Sequence, residues 1–205
     1  MDVLDAMRGR QSTRAYLDQP VTRATIESIL DAARWAPSGV NAQPWQVAVV
    51  RGAVKERIST ALLAARQHNE PERPDYAYYP KEWVEPYKSR RKATGFALYA
   101  ALNIGKDDPS ARLTAWNNNY HFFGAPAGLF FFVDKALSQG AWVDMGMFIG
   151  NVMLAARGHG LETCPQASLA EYPDIVRRIL NISDTRALIC GMALGYADAG
   201  APVNR

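Results

Sequence analysis

The run Ala127-Gly128-Leu129-Phe130-Phe131-Phe132-Val133 constrains this fold more than any other stretch of the chain. A strand with one wet face alternates apolar and polar side chains, and here no position is left for water. The run is therefore predicted to be a strand buried on both faces, and the rest of the chain must cover its sheet from both sides. A second stretch, Trp142 to Arg157, is apolar nearly all round and reads as a central helix. Gly146 and Gly150, one turn apart on it, leave room for another helix to approach closely. At 205 residues, with 48% hydrophobic and 21% charged, the chain can bury one sizeable core, so one domain over 1–205 is expected.

The remaining pattern is mostly helical. Asp2–Arg8 has Val3, Leu4 and Met7 on one face. A helix capped by Thr22 carries Ile26, Ile29, Leu30 and Ala33 inward and ends at Ala36-Pro37-Ser38-Gly39. Val47–Val50 reads as a buried strand and Val54–Gln67 as a helix. Residues 68–92 are polar and proline-rich, yet hold Tyr76, Tyr78, Tyr79, Trp83 and Tyr87. Disordered linkers are poor in aromatics, so this excursion is expected to pack, bordering a pocket. Helices are predicted over Arg91–Ile104, Pro109–Tyr120 and Tyr172–Leu180, and a last strand over Ala187–Leu194. Helices separated by a few strands, without regular alternation, indicate an α+β fold.

Several functional classes fall away. The net charge of +3, from 23 basic and 20 acidic residues, argues against nucleic acid or an anionic membrane as partner, while leaving room for one local anion site. The longest apolar stretch, Ala141–Ala156, is short and broken by Asp144 and Asn151, so no membrane span is expected. No secretory leader is expected from Met1-Asp2-Val3-Leu4-Asp5. Cys164 and Cys190 form no C-x-x-C pair, which fits a reducing cytoplasm. His68, His121 and His159 match no metal-ligand spacing, so no metal site is expected. Gly158-His159-Gly160 is followed by Thr163 rather than completing a dinucleotide fingerprint, and no P-loop is present.

Three constellations carry chemistry. Arg8 to Arg14 packs three guanidiniums with the hydroxyls of Ser12 and Thr13 where a helix meets a turn. Arginine forks suit phosphate oxygens, and local N–H groups can complete a cradle. Alone, such a cluster is commonly a solvated helix end. Ala36 to Trp45 is a turn shaped by Pro37 and Gly39, with the amides of Asn41 and Gln43 able to read a heteroaromatic edge or to satisfy each other. Gly160 to Ser168 follows the central helix as a loop whose N–H groups can face an atom that gains electron density. Cys164 within it has no histidine partner by spacing, so it reads as a buried thiol rather than a nucleophile.

In order, these pieces resemble the nitroreductase family of flavoproteins over essentially the whole chain. The resemblance rests on Arg10-x-Ser12-x-Arg14, Ala36-Pro37-Ser38-x-x-Asn41-x-Gln43-Pro44-Trp45, Asn119-Tyr120-x-Phe122-Phe123-Gly124-Ala125-Pro126, and Gly191-x-Ala193-x-Gly195-Tyr196-Ala197-Asp198. Tyr79-Pro80-x-x-Trp83-x-x-Pro86-Tyr87 is similar to the branch that includes nitrobenzoate reductases.

The resemblance implies a nitroreductase-like α+β fold, a central mixed or antiparallel sheet packed by helices, and an intertwined homodimer with FMN at the interface. Arg10, Gln11 and Ser12 match the segment that holds the ribityl phosphate, and Arg14 a cation near the flavin pyrimidine edge. Pro37, Ser38, Gly39 and Asn41 match a turn that reaches FMN from the other subunit. Pro165, Gln166, Ala167 and Ser168 match the backbone facing flavin N5, and Asn119 an amide contact to the ring. Two departures stand out. Gln11 replaces a histidine or arginine of many relatives, and Arg205 is the one C-terminal candidate for the basic contacts that relatives carry on a longer arm. The implied activity is ping-pong transfer from NAD(P)H through flavin N5 to a nitroaromatic or quinone-like acceptor, with no side chain acting as acid or base. The alternatives are reductive dehalogenation or flavin-consuming synthesis on the same scaffold, or flavin binding without turnover. The rings of Tyr76–Tyr87, Phe122 and Phe123 either wall the acceptor pocket or pack as core.

Overall fold

In a computed structural model that describes all 205 residues, β1 (Gln46–Arg51), β2 (Ala127–Asp134), β3 (Glu162–Gln166) and β4 (Arg186–Gly195) form one sheet in the order β1-β2-β4-β3. Every strand pair is antiparallel, and the one parallel contact is an isolated bridge from Ser12 to Thr163. Seven helices surround the sheet: α1 (Val3–Gly9), α2 (Arg23–Ala33), α3 (Gly52–Gln67), α4 (Tyr87–Ala101), α5 (Pro109–Asn117), α6 (Gln139–Gly158) and α7 (Pro173–Leu180). None is long and apolar enough to cross a membrane.

β2 is the doubly covered strand that its sequence demands. Leu129, Phe131 and Val133 point to the side of α2 and α6, where Ile26, Ile29, Met145, Phe148 and Val152 are buried. Phe130 and Phe132 point to the side of α3 and α7, against Ile58, Leu62 and Val176. Each buried phenylalanine contributes about 1.5–3 kcal/mol relative to an exposed one, so this strand anchors both cores. Thr22 caps α2 as expected, its hydroxyl accepting from the Thr25 amide.

The structure corrects several expectations. The Gly160–Ser168 stretch is not a plain loop: it contains β3, then a 3-10 turn over Ala167–Ala170. Pro165 tolerates strand geometry because β3 is an edge strand whose one neighbour in the sheet is β4, so its missing N–H costs no ladder bond. Val47–Val50 is also an edge, and only Val50 of it is fully buried. The polar excursion ends at Pro86 rather than residue 92, because Pro86 takes the N-cap place and Tyr87–Lys92 begin α4. α5 stops at Asn117, since three consecutive asparagines are weak helix formers. No helix of this chain approaches Gly146 or Gly150: a Cβ at either would meet nothing within 4 Å.

The excursion is tied down by Asp75. Its carboxylate accepts from Arg177 at 2.5 Å, from the Leu188 amide at 2.8 Å, and pairs with Lys135 at 2.9 Å. The next residue, Tyr76, donates its hydroxyl to the Ile189 carbonyl at 2.7 Å. That carbonyl is available because the β2–β4 register slips between Phe131 and Phe132, leaving Ile189 unpaired in a bulge.

Candidate active site

The bulge, the excursion and β3 enclose a cavity of about 430 Å³. Its floor is Cys164 to Ser168, the end of β3 and the turn after it. Tyr76, Tyr78 and Tyr79 form one wall, and α4 closes over it with Leu98 and Tyr99, followed by its C-cap residue Leu102. Trp116, Asn119 and Phe123 complete the far side, and Arg14 stands beside Cys164.

Local backbone explains how these side chains arrive. Phe122, Phe123 and Gly124 all adopt positive φ, at 53°, 53° and 82°. The reversal sends adjacent rings to opposite sides. Phe122 tucks into the core over Gly128, where a Cβ would fall 2.3 Å from its ring, while Phe123 faces the cavity. Of the aromatic candidates, Tyr76, Tyr78, Tyr79 and Phe123 wall the pocket, whereas Phe122 is core and neither Trp83 nor Tyr87 lines it.

Arg14 is held by its backbone. Its amide donates to Asn204 Oδ1 at 2.8 Å, and its guanidinium reaches the Ser12 carbonyl at 3.2 Å. Gln166 donates through Nε2 to the Asn119 carbonyl at 2.8 Å and to Asn119 Oδ1 at 3.2 Å. Two buried atoms on the floor, Gln166 Oε1 and Ser168 Oγ, have no partner in the chain. Burial raises the Cys164 thiol against the opposing pull of Arg14, Ser12 and Arg10, which agrees with an inert rather than nucleophilic sulfur.

Six expected site residues thus meet around one cavity: Arg14, Asn119, Pro165, Gln166, Ala167 and Ser168. Arg10, Gln11 and Ser12 lie alongside β3, outside the lining: Thr13 bonds the Thr163 carbonyl, and the Gln11 amide donates to Asn204 O at 2.8 Å. Arg205 donates to Gly200 O at 3.0 Å and does not line the cavity. Pro37, Ser38, Gly39 and Asn41 are not at the cavity of their own chain. Their turn is pinned to α6 by Gly39 N on Asp144 Oδ2 at 3.1 Å, and Gln43 Nε2 donates to Asn41 Oδ1 at 3.0 Å. Sequence reasoning passed over Glu72, Tyr99, Trp116, Glu171 and Ile189, all on the lining. Apolar residues of α4 and α5 carry no mark that separates a pocket wall from a core face.

The model of the nitroreductase family matches residues 7–196. The chain belongs to that family. It is 39% identical to the 4-nitrobenzoate reductase of Pseudomonas putida, over 99% of this chain and 89% of the relative. It is 38% identical to the nitrobenzene nitroreductase of Ectopseudomonas oleovorans, over 98% and 89%. The FMN and NADPH-dependent nitroreductase NfnB from Sphigopyxis sp. strain HMH superposes with a TM-score of 0.97 at 40% identity, over 100% of this chain and 92% of that one.

Proposed function

We propose that this chain is an FMN-dependent oxidoreductase that draws on NAD(P)H and reduces nitroaromatic or quinone-like acceptors in the cavity above β3, all 205 residues forming one flavin-binding unit of a homodimer. The observation that carries the reading is the floor itself. Gln166 Oε1 and Ser168 Oγ are buried without partners beside the cation Arg14 and the apolar Pro165 and Ala167. An unsatisfied buried polar atom costs about 1–3 kcal/mol, so such a pair on an apolar slot calls for a ligand with polar edges and a flat face. The isoalloxazine ring is of that kind, and the residues fit it.

The chemistry that FMN supplies when bound is two-electron transfer, hydride in from NAD(P)H and out to the acceptor. The chain supplies position and charge. Arg14 places a cation where negative charge develops on the ring. Pro165–Ser168 present backbone to its reactive edge, and Asn119 orients Gln166 there. Arg10, Gln11, Ser12 and Arg205 lie on the side assigned to the phosphate tail, with Gln11 neutral and its amide engaged by Asn204. The tyrosine wall flanks the acceptor. No side chain needs to act as acid or base.

Three observations support the dimer. A compact monomer of this size exposes about 9,500 Å², against 11730 Å² for this chain. Val143, Gly146 and Met147 leave an apolar stripe of α6 exposed, beside the exposed Val3, Leu4 and Met7 of α1. Val40 holds a φ of 48°, rare for a β-branched residue, with its side chain wholly exposed. A strained, outward turn of this kind marks a functional contact. In the dimer, Pro37, Ser38, Gly39 and Asn41 reach the partner's FMN. Two buried cysteines without a disulfide support residence in a reducing cytoplasm.

The test is spectroscopic. The purified protein, loaded with FMN, is expected to be yellow, to bleach with NADPH under anaerobic conditions, and to recover its colour on adding nitrobenzene. Protein that stays colourless in excess FMN refutes the reading.

A further inference from the structure

The names of the relatives leave the charge of the acceptor open, since they span an anionic nitrobenzoate and an uncharged nitrobenzene. The cavity of this chain addresses the point. Arg14 is the single cation on its lining, and it stands at the Cys164 end. The floor then runs through Ser168 to Glu171, whose amide bonds the Ser168 carbonyl at 3.3 Å. At that second end the lining holds two carboxylates, Glu171 and Glu72, brought together because the Arg73 amide donates to the Glu171 carbonyl at 3.1 Å.

Resting on the reductase reading above, we propose that Glu72 and Glu171 make this site select uncharged or cationic nitroarenes, bearing donor groups such as an amide, hydroxyl or ammonium, over nitrobenzoate anions. The lone cation is assigned to the flavin edge, so it is not available to an acceptor carboxylate at the opposite end. Arg66 stands behind the acidic pair, 4.0 Å from Glu171 and 3.8 Å from Glu72, without lining the cavity. One guanidinium behind two carboxylates leaves that end net negative or, with Glu171 protonated, neutral. Burial and the nearby Glu72 raise the Glu171 carboxyl against the hydrogen bond from Tyr120. In neither state is there a cation to receive an anionic substituent. A carboxylate brought to this end would lose part of its water and meet like charge. An amide or ammonium would find acceptors.

Steady-state kcat/KM at neutral pH for 4-nitrobenzoate, 4-nitrobenzamide and 4-nitrobenzylammonium on the FMN-loaded enzyme tests this. The amide and the ammonium are expected to exceed the benzoate at least tenfold. In Glu72→Gln and Glu171→Gln, singly and combined, the benzoate-to-benzamide ratio is expected to rise fivefold or more. A parent enzyme that turns over benzoate and benzamide equally, or a ratio unmoved in the double variant, overturns the selectivity and leaves the reductase reading intact. An enzyme whose flavin is bleached by NADPH but which reduces none of the three overturns both. Circular dichroism and FMN content matching the parent confirm that each variant is folded.

Discussion

Asp75 and Arg177 are 102 residues apart in sequence, yet their charged atoms meet at 2.5 Å with both side chains buried. The pair fastens the tyrosine wall of the cavity to α7 and, through the Leu188 amide, to β4. Burial by itself would raise the Asp75 carboxyl, but Arg177, the Leu188 amide and Lys135 together hold it below the ordinary carboxylate value. A carboxyl depressed in the folded state stabilises fully above its unfolded pKa, about 3.9, and that contribution is lost as pH falls through the lower folded value. Asp75→Asn is expected to cost about 3–5 kcal/mol at neutral pH, because Arg177 keeps its burial and loses its main partner. Urea midpoints measured down the acid limb should begin to converge between parent and variant below pH 4. Parallel curves would show that another carboxylate governs the acid limb.

Arg10→Ala and Arg14→Ala should each weaken FMN binding. A charge-assisted contact is worth about 1.5–3 kcal/mol, or roughly 10- to 150-fold in Kd. Flavin fluorescence titration reads the change directly. Parent-like affinity in both variants would remove the arginine corner from the cofactor site.

Met147→Glu places a charge on the open stripe of α6, where the native side chain is already exposed in the single chain. If that stripe is the subunit interface, the variant should sediment as a monomer and lose most of its flavin, with helical content unchanged. A variant that stays dimeric and yellow places the interface elsewhere.

Gly128→Ala should destabilise the core by about 1–3 kcal/mol, the usual cost of overpacking. The added methyl would fall 2.3 Å from the Phe122 ring, which a left-handed backbone holds in place. Denaturant unfolding gives the magnitude, and a neutral result would mean that Phe122 repacks freely.

The two thiols should be silent. Burial pushes Cys190 up to about 12, and Cys164 is also raised and buried. At pH 8 an aromatic disulfide reagent is expected to find no thiol in the native protein and two after unfolding. Fast reaction of one thiol would expose Cys164 through the cavity.

Much of the architecture was legible because periodicity is local. Phe130 and Phe131 could only alternate across a sheet covered twice, and Thr22 could only cap the apolar stripe that follows it. β3 was illegible because Pro165 argues against a strand, and only its edge position, set by distant β4, makes it harmless. Arg14 and Pro165–Ser168 were readable as ordered motifs. Glu72, Glu171 and Tyr99 were not, since a pocket wall assembled from separate elements has no spacing rule.

Short-range chemistry, carried by the order of the residues, thus determined the elements, the doubly covered sheet and the arginine corner. The tertiary structure alone decided that the Asp75 clasp, the Ile189 bulge and the Phe122–Phe123 reversal converge on one cavity. It also set an acidic end opposite Arg14. The physical reason is that these contacts join residues far apart in the chain, whose encounter depends on how two cores pack against one sheet.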